Sequence, residues 1–214
     1  MDNNKIEDLT RIETKDKEEA ANSILNWIID IIFYIKNLFI QICQYTQNVQ
    51  NWDKKWFYKI NHTKYRCSTL DSFMLAMTQI GEGWLPAIGI LMLYQYGNVE
   101  VELPQKILWA FAISGVLANI MKRYFNRTRP CKALEDAIVV GPDPSYESFP
   151  SGHTTSAFAM CMMFAFFVPA ASIILIPLAI LCGISRIYLG VHWPTDVIAG
   201  ALLGTLTSII VWFF

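Results

Sequence analysis

Three short stretches hold most of the residues in this chain that could do chemistry. The first is Lys122-Arg123-Tyr124-Phe125-Asn126-Arg127-Thr128-Arg129-Pro130. The second is Pro150-Ser151-Gly152-His153, and the third is Ser185-Arg186 followed by His192-Trp193-Pro194-Thr195-Asp196. Lys122, Arg129 and Arg186 supply cationic donors, two of them guanidinium forks that match phosphate oxygens. Ser151 has the character of an N-cap, and Gly152 lets backbone approach an anion at a helix N-terminus. His192 and Asp196 are four residues apart, and Pro194 suits the opening of a helix, so the carboxylate can reach back to one imidazole nitrogen. That contact fixes the tautomer and leaves the other nitrogen free as nucleophile or base. His153 is a second imidazole, available as general acid. The reaction class this set describes is phosphoryl transfer through a covalent phosphohistidine.

Each part has a plainer reading when taken alone. Lys122, Arg123, Arg127 and Arg129 would serve as an interfacial basic cluster against anionic lipid. His192 with Asp196 would be a structural hydrogen bond or half of a metal site. A metal is disfavoured, because no third and fourth ligands fall at plausible spacing and the neighbours are cations. Arg186 resists a structural explanation: a lone Arg at the end of an apolar helix is costly without an anionic partner. A non-catalytic lipid-binding or transport protein with basic loops leaves His153, His192 and Asp196 together unexplained.

The elements that position these stretches are apolar helices. Of 214 residues, 54% are hydrophobic and 16% charged, where about 25% charged is typical of soluble domains. From Thr154 to Phe214 only Arg186 and Asp196 carry formal charge, so this part must face lipid or other helices. The composition excludes a disordered chain and a disulfide-stapled mini-domain. The net charge of −1 gives no basic field for nucleic acid. Residues 1–23 form a charged tail without the apolar core of a signal peptide, and 24–214 form the membrane domain.

Hydropathy predicts an all-α, polytopic bundle of about six helices. The spans are Ile24–Ile42, Asp71–Tyr96, Pro104–Met121, Thr154–Val168, Ser172–Tyr188 and Pro194–Phe214. The first, broken by Asp30 and Lys36, either crosses the membrane or lies in its interface. The second should kink near Gly81, Gly83 and Pro86. The uncharged run Thr154–Ile184 has 31 residues, roughly 46 Å as one helix against a ~30 Å hydrocarbon core. It must therefore fold at Val168-Pro169-Ala170-Ala171. That hairpin returns all three polar stretches to one membrane interface, where they can form one active site.

On these residues the chain resembles the type 2 phosphatidate phosphatase superfamily. The family pattern K-x6-R-P, P-S-G-H and S-R-x5-H-x3-D is matched by Lys122 with Arg129-Pro130, by Pro150-Ser151-Gly152-His153, and by Ser185-Arg186 with His192 and Asp196. The motifs span 122–196, and the helix order extends the resemblance to 45–214. It implies that His192 attacks phosphorus, Asp196 orients it and His153 protonates the leaving oxygen. Lys122, Arg129, Ser151, Gly152 and Arg186 would bind the phosphate. It implies no metal or other cofactor. The expected partners are the bilayer and a lipid phosphate: undecaprenyl diphosphate first, phosphatidylglycerophosphate or phosphatidate as alternatives. It further implies a multi-pass plasma-membrane protein with an extracytoplasmic active site.

Several residues have weaker claims. Glu82, an ionisable group in an apolar stretch, is either functional or the interfacial start of the second helix. Arg127 is a possible extra phosphate contact. Gly200 and Gly204 form a G-x-x-x-G suited to packing inside the bundle more than to dimerisation. Of five cysteines, Cys67 and Cys131 could pair in an oxidising compartment. The basic first loop (Lys54, Lys55, Lys59, Lys64, Arg66) conflicts with an extracytoplasmic site if the positive-inside rule is taken literally.

Overall fold

The computed structural model describes residues 23, 26–37, 47–83, 102–142, 144 and 147–214. The chain divides into two units, residues 1–50 and 51–214. In the first, residues 26–37 are helical. The rest of the expected Ile24–Ile42 span, and nearly all of the tail at 1–23, lie outside the described residues.

The second unit is helical, with no strand among its described residues. Helix α1, Gln47–Asn61, starts at the end of the first unit's residues; the others are α2 Ser68–Thr78, α3 Glu102–Phe125, α4 Pro130–Ala133, α5 Gly152–Phe167, α6 Ser172–Tyr188 and α7 Pro194–Phe213. Among the described residues, three segments are long and apolar enough to cross a membrane: Glu102–Ala133, Pro169–Tyr188 and Pro194–Phe213. The expected hairpin is present. Val168 ends α5, Pro169–Ala171 forms a single 3-10 turn, and α6 begins at Ser172.

Bundle packing follows from residue size. On α7 the large residues Ile198, Leu202, Leu206, Ile210 and Phe213 are exposed, while Gly200, Gly204, Ser208 and Val211 are buried. This is the membrane pattern, small residues between helices and large ones toward lipid. A Cβ on Gly200 would lie 2.6 Å from the Ser151 carbonyl oxygen, and one on Gly204 would lie 2.3 Å from that of Thr155. The G-x-x-x-G is thus used inside the bundle, where it brings the backbone of α7 against α5. Ser208 Oγ donates to the Ala159 carbonyl at 2.8 Å and reinforces the contact. At the other end of α3, Lys106 pairs with Glu102 at 3.0 Å and donates to the Trp212 carbonyl at 2.9 Å.

One expectation needs correction, and another is met as far as it is described. The segment read as a basic first loop contains α1, whose sequence alternates Lys with Trp and Tyr and so lacks a span-length apolar run. Trp52 and Trp56 are exposed on it, Phe57 is fully buried, and Lys59 Nζ sits 4.5 Å above the Trp56 ring. The second span, expected over Asp71–Tyr96 with a kink near Gly81, is helical over Ser68–Thr78, and its residues 84–96 lie outside the described residues. A 3-10 turn at Gln79–Gly81 follows, and Glu82 is extended. The glycine that ends this turn allows a close approach: a Cβ on Gly81 would lie 2.3 Å from the His153 carbonyl oxygen.

Candidate active site

The three polar stretches meet at one end of the bundle. Ser151 caps α5, accepting from the Thr154 amide at 3.4 Å and from the Thr154 hydroxyl at 2.8 Å. Its own amide donates to the Asp196 carbonyl at 3.0 Å, which ties the second stretch to the third. Lys122, in the last turn of α3, reaches over the start of α5. A Cβ on Gly152 would be 3.2 Å from Lys122 Nζ, so the glycine leaves room for the ammonium beside the helix N-terminus.

Arg129 is 4% exposed and holds the segment carrying His192. Its Nη1 donates to the Val191 carbonyl at 2.8 Å and lies 3.0 Å from His192 Nε2, while Nη2 donates to the Glu147 carbonyl at 3.2 Å. A guanidinium can only donate. Nε2 therefore presents its lone pair, and the ring proton belongs on Nδ1. Nδ1 lies 3.5 Å from Asp196 Oδ2, without a hydrogen bond, in a fully enclosed setting. Burial, and then the charges of Arg129, Arg186 and Lys122, hold the His192 pKa well below its usual value. The imidazole is kept neutral.

Asp196 is buried with its oxygens occupied. Oδ2 accepts from the Trp193 amide at 2.9 Å and Oδ1 from Arg127 Nη1 at 2.6 Å. Arg127 bonds in turn to Asp53 Oδ2 at 2.6 Å and to the Thr195 hydroxyl at 2.7 Å. Asp53, on α1 and 1% exposed, also accepts from the Thr195 amide at 2.9 Å. Arg127 was a possible phosphate contact from sequence; here it bridges two buried carboxylates. Asp53 was not anticipated. A single acid among lysines and tryptophans carries no signal of a partner 74 positions away.

Arg186, in the last turn of α6, donates from Nη1 to the Thr78 hydroxyl at 2.6 Å, and its Nε is buried without a hydrogen-bond partner. His153 Nε2 lies 2.6 Å from Glu82 Oε1. These groups face a cavity of about 300 Å³ lined by Thr78, Glu82, Pro142, His153, Arg186 and Val191, among others. Gly190, just before the His192 segment, has φ +82, and a Cβ there would lie 2.5 Å from the Ile138 carbonyl oxygen. Only glycine meets both demands. Cys67 is a free, exposed thiol, so the Cys67–Cys131 bond is not formed. Among the described residues no three His, Cys, Asp or Glu side chains gather as a metal would require.

Every residue singled out for the site is thus at this end of the bundle: Lys122, Arg129, Ser151, Gly152, His153, Arg186, His192 and Asp196. Membrane-length helices that carry such a set of cations and imidazoles at one end define an integral membrane phosphatase. The chain belongs to the PAP2 superfamily, whose family model matches residues 105–214, just over half of its length. It is 29% identical over 185 residues to an undecaprenyl-diphosphatase of Sulfolobus acidocaldarius, covering 85% of this chain and 87% of that one. The crystal structure of Aquifex aeolicus LpxE aligns with a TM-score of 0.68 at 31% identity, covering 75% of this chain and 94% of that one. A PAP2-type phosphatidylglycerolphosphate phosphatase from Bacillus subtilis aligns with a TM-score of 0.70 at 27% identity, covering 85% and 92%.

Proposed function

We propose that the chain hydrolyses the phosphate or diphosphate group of a membrane lipid through a phosphohistidine on His192, without a metal. One observation carries this reading: the His192 lone pair lies among Lys122, Arg129 and Arg186, and a buried Arg186 Nε–H is left without an acceptor. A phosphate group supplies the missing acceptor and places phosphorus beside the lone pair. His192 Nε2 attacks, the Asp196 carboxylate on the Nδ1 side orients the ring and offsets the positive charge it gains, and His153 gives a proton to the leaving oxygen. Lys122, Arg129, Arg186, Ser151 and the Gly152 amide bind the phosphoryl oxygens. Water then attacks the phosphohistidine and releases inorganic phosphate.

Undecaprenyl diphosphate is the favoured substrate, supported by the relative of that activity that aligns with 85% of this chain. Phosphatidylglycerophosphate is the second choice, supported by the Bacillus subtilis structure, with phosphatidate beside it. We place residues 24–214 in the plasma membrane as the phosphatase domain, 1–23 as its tail, and the active site on the extracytoplasmic face. The lysines of α1 fit that placement as headgroup contacts, since Trp52 and Trp56 beside them are interfacial residue types.

The test is phosphate release by detergent-purified protein in EDTA, with undecaprenyl diphosphate, phosphatidylglycerophosphate and phosphatidate. The expected result is release from one of them, lost in His192→Ala. Loss of release in EDTA, restored by a divalent ion, would overturn the metal-free mechanism.

A further inference from the structure

Each imidazole of the site has a carboxylate beside it, and the two pairs differ in a way that assigns them opposite work. Asp196 is saturated by Arg127 and the Trp193 amide and stays 3.5 Å from His192 Nδ1. Its charge is largely spent elsewhere, and the buried, cation-surrounded His192 stays neutral. Glu82 is different. Its carboxylate is 40% exposed, and its oxygen lies 2.6 Å from His153 Nε2. We propose that Glu82 is the positioning residue of the general acid: it holds the His153 ring by Nε2–H and stabilises the imidazolium that protonates the leaving oxygen. This inference rests on the reading of His153 as general acid.

The charges facing His153 come from several elements. Burial, Arg186 from α6 and Lys122 from α3 oppose a positive charge on the ring, and Glu82, from the segment after α2, favours one. The Cys182 thiol of α6 donates to the His153 carbonyl at 3.8 Å. Together burial and these charges hold the His153 pKa below its usual value, at about 4; a bound phosphate anion offsets Arg186 and Lys122 and leaves the Glu82 carboxylate, 2.6 Å from Nε2, to favour the imidazolium. The proton balance is closed. His192 Nε2 forms a bond to phosphorus as the bond from phosphorus to the leaving oxygen breaks. The Nδ1 proton of His153 passes to that oxygen, and His153 is left neutral with Nε2–H still donated to Glu82. In the second step Nδ1 takes a proton from the attacking water, which restores the imidazolium.

Geometry brings Glu82 to this place for local reasons. The close approach at Gly81 lets the 3-10 turn pack on the His153 carbonyl, and the extended backbone at Glu82, with ψ 139, leaves the helical path. Thr78 in the preceding turn holds Arg186, so a single segment sets both an anion-binding cation and the acid's partner.

The experiment compares wild type, Glu82→Gln, His153→Ala and His192→Ala on phosphatidate, which leaves as an alkoxide, and on diacylglycerol pyrophosphate, which leaves as a phosphate. Glu82→Gln should lower kcat/KM on phosphatidate by about 10- to 100-fold, part of the ~10²–10⁴ that a general acid supplies. The loss should be smaller on the pyrophosphate, whose leaving group needs a proton less. The alkaline limb of its pH profile should move to lower pH, because the acid loses its proton more readily. In parallel, ¹⁵N-histidine NMR with inorganic phosphate follows the three histidines, His62, His153 and His192, with no need for turnover. Glu82→Gln should lower the His153 titration and leave His62 unmoved, and Glu82→Asp should restore part of it. If Glu82→Gln titrates and hydrolyses like wild type while His153→Ala and His192→Ala are inactive, Glu82 has no such role and the mechanism stands. If His192→Ala or His153→Ala retains activity, the reading beneath the inference fails instead.

Discussion

At His192 the proposed chemistry turns on a lone pair whose direction is fixed by a donor that cannot accept. Arg129 Nη1 faces Nε2 at 3.0 Å, and Asp196 waits on the Nδ1 side. Two predictions belong to single residues. Gly152→Ala should raise KM several-fold with little change in melting temperature, since the added methyl meets only the mobile end of Lys122, 3.2 Å away. Phosphate-release kinetics and a thermal melt in detergent check both halves. The second concerns pH. The native His192 pKa is depressed, while in the unfolded chain it returns to about 6.5. Below that pH the unfolded state binds the extra proton, so this residue's contribution to stability falls as pH falls. His192→Gln should therefore lose less stability than wild type between about pH 7 and about pH 5, as measured by phosphate-free melts. That the eight residues singled out would gather was legible from sequence because they fall in three short stretches at helix ends: an N-cap and glycine opening α5, and His and Asp four apart at the start of α7. Asp53 and the Glu82–His153 contact were not, because 74 and 71 positions separate the partners and no periodicity links them.

At the scale of elements, backbone proximity does the positioning. Residues of α5 and α7 approach through Gly200 and Gly204, and the same contact seats Ser151 against Asp196. Gly204→Leu should prevent a stable fold, because the Thr155 carbonyl oxygen, 2.3 Å from a Cβ there, is backbone and cannot swing away. Monodisperse elution at the wild-type volume would contradict this. Arg127 is a second joint, between α1 and the start of α7. Arg127→Met leaves Asp53 and Asp196 buried without their cation, and should cost about 3–5 kcal/mol, read as a lowered melting temperature together with lost turnover. The hairpin of α5 and α6 was predictable because an uncharged run of that length overshoots a membrane. Helix α1 was not, since its alternation of Lys with Trp and Tyr lacks a long apolar run, although those residue types suit an interface.

For the whole molecule, lipid-facing bulk and internal small residues set the bundle in the membrane, with the anion site at one end. The free, exposed Cys67 thiol just precedes α2, and in the first turn of that helix Asp71 accepts from the hydroxyl of Tyr188, two residues beyond Arg186, at 2.6 Å. It therefore reports the active-site side. A membrane-impermeant maleimide should label Cys67 in intact cells and fail on Cys67→Ser; labelling only after lysis would place the site in the cytoplasm. The most direct measurement of the central claim is to trap the covalent intermediate. Protein is mixed with terminally ³²P-labelled undecaprenyl diphosphate in EDTA, quenched in base, which preserves phosphohistidine, and digested. The label should sit on the peptide containing His192 and vanish in His192→Ala. Phosphate release with no label at His192, or turnover surviving in His192→Ala, would contradict the account.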